Sequence, residues 1–81
     1  MTKLFKYTIF IQPDSPEGYY VTVPALPGCF SSGKTIEEAI KNAKDAIDLH
    51  LEVLEELHQP ISEDANSIIY GVELKRQVKA R

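Results

Sequence analysis

One cysteine, Cys29, in 81 residues leaves the chain without a disulfide framework, which agrees with a reducing compartment. Long apolar runs are also missing: nothing approaches the ~20 residues that a bilayer-spanning helix needs. The N-terminus has neither the apolar core nor the small-residue cleavage site of a secretory signal. A cytoplasmic protein with no membrane partner is therefore expected. Cations do not outnumber acids. Nine Lys and Arg stand against twelve Asp and Glu, for a net charge of −3 and a pI of about 5.3, so there is no global attraction to nucleic acid.

What is present is the ordinary material of a small folded domain. A hydrophobic content of 43% beside 26% charged residues excludes wholesale disorder. One domain over residues 1–76 is expected, followed by a basic tail over 77–81. A chain of this size buries only about 60% of its unfolded surface, so a partner or further copies of itself are a natural source of stability. The charge is unevenly spread. Between Lys34 and His58, seven acids (Glu37, Glu38, Asp45, Asp48, Glu52, Glu55, Glu56) face three lysines. From Glu73 onward Lys75, Arg76, Lys79 and Arg81 reverse the balance. The first segment suits a basic partner. The second is a candidate nucleic-acid contact, although a solvated tail is the simpler reading of so short a run.

Taken in order, Phe5, Tyr7, Ile9 and Ile11 alternate with Lys6, Thr8 and Phe10, which predicts a strand over Leu4–Ile11. Pro13, Asp14, Ser15, Pro16 and Gly18 crowd the next residues and predict a hairpin loop. Tyr19, Val21 and Val23 alternate again, giving a second, antiparallel strand, and Cys29–Ser32 fits a third that ends at Gly33. A helix from Ile36 to about Leu57 follows, with Ile36, Ile40, Ala43, Ile47, Leu51 or His50, and Leu54 at the three- and four-residue steps of one buried face. Pro60 closes it off. Ile68, Tyr70, Val72 and Leu74 then alternate as a fourth strand, expected to lie parallel to a neighbour in the same sheet. The predicted fold class is α+β, in the order β-β-β-α-β, with a three-stranded meander, one further strand, and the helix packed on one sheet face.

The junction between the strands and the helix is the most informative stretch. Pro27-Gly28 signals a type II turn, since Pro presets one dihedral and Gly accepts the positive φ of the next position. Pro24 either ends the strand before it or sits where no ladder bond is required. Thr35 and Glu38 form a capping box, the Thr hydroxyl accepting from the Glu38 N–H and the Glu carboxylate reaching back to the Thr35 N–H. Gly28 and Gly33 are read as serving the turn and the strand-to-helix junction, not a phosphate cradle. The pattern V-P-x-L-P-G-C-x-S-x-G-x-T-x-x-E-A-x-x-N-A-x-x-A-I, carried by Val23, Pro24, Leu26, Pro27, Gly28, Cys29, Ser31, Gly33, Thr35, Glu38, Ala39, Asn42, Ala43, Ala46 and Ile47, resembles the HicB-like antitoxin family. With Gly18, Tyr19 and Val21 upstream, the likeness spans roughly the first sixty residues.

The resemblance implies a truncated ribonuclease-H-like fold, which raises the question of nuclease chemistry. Two-metal cleavage needs carboxylates converging from strand and helix. The first strand offers none, Asp14 and Glu17 fall in a loop, Glu73 stands alone, and the helix acids lie mostly opposite the apolar stripe. Cys29 fits no local signature of a cysteine nucleophile and reads as a small buried hydrophobe. His50 and His58 are not at the i, i+4 spacing of a helical metal pair. No catalytic or metal residue and no cofactor is expected.

By resemblance, then, the chain is expected to be a non-enzymatic antitoxin that binds a small HicA-type mRNA endoribonuclease and covers its active site. Family members often add a C-terminal DNA-binding module, which is not expected here. The alternative is a solitary RNA- or DNA-binding module acting through the tail at Lys75, Arg76, Lys79 and Arg81. Lengths add a second expectation. The helix, at roughly 33 Å, overhangs strands of about 20 to 24 Å, and its apolar stripe widens at that end through Leu49, Val53 and Leu57. A homodimer or dimer of dimers burying those three residues is predicted, with cover by the loop of residues 58–66 as the competing outcome.

Overall fold

The computed structural model describes residues 2–14, 16–64 and 70–79. Three short strands, β1 (Phe10–Pro13), β2 (Tyr19–Thr22) and β3 (Phe30–Gly33), precede one long helix, α1 (Ile36–Glu56). The sheet runs β1-β2-β3, antiparallel throughout, with Phe10 opposite Thr22 and Thr22 opposite Phe30. This is the expected α+β meander with its covering helix.

Between β2 and β3 the chain makes two turns, each with a proline at the second position. Leu26 N–H donates to Val23 O at 3.0 Å across Pro24-Ala25, and Cys29 N–H donates to Leu26 O at 3.0 Å across Pro27-Gly28. Gly28 has φ +86°, the positive value that the third position of a type II turn demands. Pro24 is therefore a turn residue, and the turn it starts swings the chain away from the line of β2. That explains why β1 differs from the expected Leu4–Ile11. Phe10 already faces Thr22, the last residue of β2, so residues 4–9 have no β2 residue to pair with. Pairing instead extends forward to Pro13, which is tolerated because β1 is an edge strand whose outer side requires no donor. Phe5, Tyr7 and Ile9 still point inward and are half-buried against the core.

The helix begins where the sequence places it. Thr35 is the N-cap, and its hydroxyl accepts from Glu38 N–H at 3.0 Å. The returning half of the cap differs: the Glu38 carboxylate accepts from Lys34 N–H at 3.3 Å, one residue earlier than Thr35. At the other end, His58 N–H donates to Glu55 O and Gln59 N–H to Leu54 O, with His58 at φ +55°. This is a Schellman closure, so the helix stops at Glu56, before it reaches Pro60.

Small residues bring the helix close to the sheet. Val21, Ala39 and Ala43 form one fully buried cluster. Val23, Leu26, Cys29 and Leu51 form a second, joined by Ile47, Leu54 and Ile61. Ile36, expected on the inward stripe, is 48% exposed, because the first turn projects past the end of β3. Gly33 has a packing reason: a Cβ there would stand 2.5 Å from Ala39 N and 2.8 Å from Ala39 Cα.

The fourth strand expected over residues 68–74 is not part of this sheet. Ile68 and Ile69 lie outside the described residues. Tyr70, Val72 and Leu74 belong to no strand and are 81–82% exposed. Alternation fits these residues for a sheet, but among the described residues no strand lies along them.

Candidate interaction surfaces

Four surfaces carry the exposed chemistry. The first is the outer face of α1, where Glu37, Glu38, Asp45, Asp48, Glu52, Glu55 and Glu56 are all exposed. Lys41 and Lys44 are the only cations between Ile36 and Glu56, so seven carboxylates against two ammonium groups leave this element at −5. No basic residue occupies the last turn, although cations there would favour the negative helix end. The helix thus concentrates negative potential at its C-terminal half.

The second is the strip of Leu49, Val53 and Leu57 on that same half, 62, 45 and 61% exposed. Ile61, from the loop after the helix, packs with Leu51 on the inner side and leaves the strip open. The third is the segment of residues 70–79, exposed throughout, where Lys75, Arg76 and Lys79 accompany Tyr70, Val72, Leu74 and Val78. Arg81 lies outside the described residues. The fourth is a sheet face away from the helix, where Phe10 and Phe30, not singled out from the sequence, join Tyr20 and are 42 and 70% exposed beside its 38%. Its signal was strand parity, since Ile9 and Ile11 inward force Phe10 outward, and Cys29 inward does the same for Phe30.

The motif residues Pro24, Leu26, Pro27, Gly28, Gly33, Thr35 and Glu38 are architectural. Leu26 is buried, Gly33 lets α1 seat close to β3, and the others shape turns or cap the helix. Asn42 belongs with them, as its side-chain amide donates to Ser32 O at 2.8 Å and ties α1 to β3. The reading of Gly28 and Gly33 as free of any phosphate-loop pattern needs correcting, because Gly28 to Thr35 spells G-x-x-x-x-G-K-T, the phosphate-loop string. The structure gives it a different conformation. Phe30–Gly33 is a strand paired with β2, not a loop wrapped around an anion. Lys34 N–H, at the helix entrance, is already held by the Glu38 carboxylate, which repels phosphate.

Cys29 is buried and free, and burial pushes its thiol above the ordinary value. It is a neutral packing residue at physiological pH. Tyr7 is likewise raised, first by burial and then by the nearby carboxylates of Glu63 and Asp64. Its hydroxyl donates to Ser62 O, and Thr8 Oγ1 bonds the Asp64 carboxylate. His50 is half-buried on α1 and His58 is exposed at its closure. Among the described residues, no three His, Cys, Asp or Glu side chains gather as metal ligands, and no helix is long and apolar enough to cross a membrane.

The fold and its surfaces describe a small α+β domain whose distinctive chemistry lies on exposed faces. Residues 7–76 match the family model described as the HicB-like antitoxin of bacterial toxin–antitoxin systems, and the chain belongs to that family. It is 48% identical over 59 residues to a UPF0150 protein of Thermoplasma acidophilum, covering 73% of this chain and 86% of that one. A UPF0150 protein of Synechocystis is 39% identical over 62 residues, covering 76% and 78%. Among solved structures, the N-terminal domain of the Burkholderia pseudomallei antitoxin HicB superposes with a TM-score of 0.64 at 41% identity, over 73% of this chain and 69% of that one.

Proposed function

We propose that this chain is a non-enzymatic antitoxin that binds a small HicA-type mRNA endoribonuclease and covers its active site. Family membership supplies the class. The observation that carries the reading to a partner is the outer face of α1, at −5 over 21 residues. A ribonuclease that grips RNA presents a basic surface, and opposite potentials speed encounter and fix orientation. The experiment is titration of the purified chain against RNA cleavage by a HicA-type ribonuclease.

The basic tail supports the nucleic-acid alternative less well. Lys75, Arg76, Lys79 and Arg81 against Glu73 neutralise few phosphates, and affinity for nucleic acid grows with the number neutralised. Self-association belongs to the same proposal. The strip of Leu49, Val53 and Leu57 docks against its equivalent on a second copy, most simply about a two-fold axis. Sedimentation of Val53→Glu checks it, since an assembly indifferent to that buried charge refutes the strip as an interface.

A further inference from the structure

The helix does not cover the sheet evenly. It lies over β3 and β2, and between α1 and residues 5–9, which lead into β1, it leaves a hollow of about 490 Å³ lined by the apolar Phe5, Ile9, Ile40 and Ile47 together with Lys6, Lys44 and Asp48. β1 is also the open edge of the sheet, with a row of backbone donors and acceptors that no described strand pairs. An open edge beside an empty apolar hollow is what remains when one strand is removed from a sheet. At about 30 Å³ per molecule, the hollow would hold on the order of sixteen waters against a mostly apolar lining.

A strand with matching properties is present elsewhere in the molecule. Tyr70, Val72 and Leu74 alternate with Gly71 and Glu73, and all five are exposed. The radius of gyration is 16.6 Å and the longest dimension 59 Å, against about 12 Å expected for a compact chain of this length. The segment therefore stands off the body and does not enter its own hollow. The chain leading to it is fastened beside residues 3–8: Ser62 and Asp64 bond Tyr7 and Thr8, and Glu63 pairs with Lys3 at 3.6 Å.

We infer that residues 70–74 of one copy add as a fourth strand along residues 5–9 and the adjoining open β1 edge of a second copy, with Tyr70, Val72 and Leu74 filling the hollow between residues 5–9 and α1. Backbone pairing supplies affinity, and the alternate side chains supply register. The exchange is reciprocal, so each copy completes the other's sheet. The surface is separate from the acidic face of α1 and from the Leu49, Val53 and Leu57 strip, and the inference does not depend on the toxin-binding reading.

Mixed-label NMR on the full chain tests it. Labelled and unlabelled copies are unfolded together and refolded, and isotope-filtered spectra are recorded. Contacts between the methyls of Val72 or Leu74 and those of Ile40 or Ile47 are expected between chains. Contacts confined to one chain would mean that the strand folds back on its own sheet, and their absence would mean that the hollow is not its site; either overturns the inference. The double variant V72D/L74D provides a second check by sedimentation. It is expected to weaken self-association by at least about a hundredfold while keeping the helical circular dichroism signal, because neither side chain packs against its own body. Association at the wild-type level refutes the exchange. So does loss of the fold in the variant, which would place these side chains in their own core.

Discussion

Replacing Gly33 with alanine tests how the helix is seated on the sheet. In an exposed turn a strain-free Gly→Ala change stabilises by about 0.4–1 kcal/mol through the unfolded chain. At Gly33 the sign reverses. The added Cβ meets Ala39 N at 2.5 Å, and Ala39 Cα and Glu38 C at 2.8 Å, all backbone atoms that no rotamer change can move. Restoring ordinary contact requires α1 to lift by roughly 0.9 Å, and a gap of that size forfeits a quarter to a half of the dispersion well at each lining atom. The loss falls where packing is tightest, at Val21, Ala39 and Ala43, which are at most 1% exposed. The same lift stretches the 2.8 Å bond from Asn42 to Ser32 O out of range, for about 1 kcal/mol. Adding ~1–3 kcal/mol for overpacking gives a destabilisation of about 2–4 kcal/mol, a large part of the ~4–12 kcal/mol expected for a domain of this size. Urea unfolding followed by circular dichroism reads it directly. Gly71→Ala, where nothing lies within 4 Å, serves as the control and should stay within about 0.5 kcal/mol. A Gly33→Ala protein as stable as wild type would refute the close seating of α1.

The helix ends give a matched pair of predictions. Thr35→Ala removes the acceptor for Glu38 N–H and should cost about 1 kcal/mol, while His58→Gly relieves a positive φ and should gain about 0.5–1 kcal/mol; thermal melts that fail to move in opposite directions would place the helix ends elsewhere. Cys29 provides the pH dependence. Burial raises its folded pKa, so its contribution is complete below the unfolded value near pH 8.5 and is lost as pH rises through the folded value. The melting temperature of wild type should therefore fall more steeply above about pH 8.5 than that of Cys29→Ala, and iodoacetamide at pH 8 should modify the native thiol at least about tenfold more slowly than the unfolded one. Equal slopes together with equal alkylation rates would mean that the thiol is not buried.

The parts of this fold that could be read from the sequence are those decided within a few residues. Thr35 and Glu38 announce the helix start because a cap is a local contest for orphaned N–H groups. Pro27-Gly28 announces its turn because both dihedrals are set by the residues themselves. The length of β1 was not legible, since it depends on where β2 loses its line, and the Pro24 turn across the sheet decides that. The fourth strand shows the same boundary. Alternation at Tyr70, Val72 and Leu74 states that these residues suit a sheet, but it does not state which sheet. For the surfaces, the acidic face of α1 followed from helical periodicity. The aromatic face of Phe10, Tyr20 and Phe30 appears only when strand parity is carried across the whole register. The phosphate-loop string at Gly28–Thr35 is the opposite case, a pattern whose meaning the β3 pairing removes.

The central claim is that this antitoxin-family chain acts by occupying a ribonuclease, not by cleaving RNA. The measurement is RNA cleavage by a HicA-type ribonuclease as the chain is titrated in, with the chain alone in Mg²⁺ or Mn²⁺ as the companion sample. The account predicts that cleavage falls to background near an equimolar ratio, that reversing charges on the outer face of α1 weakens the inhibition, and that the chain alone leaves RNA intact. Cleavage undiminished by excess chain, or metal-dependent cleavage by the chain itself that disappears on mutating one of its carboxylates, would contradict it.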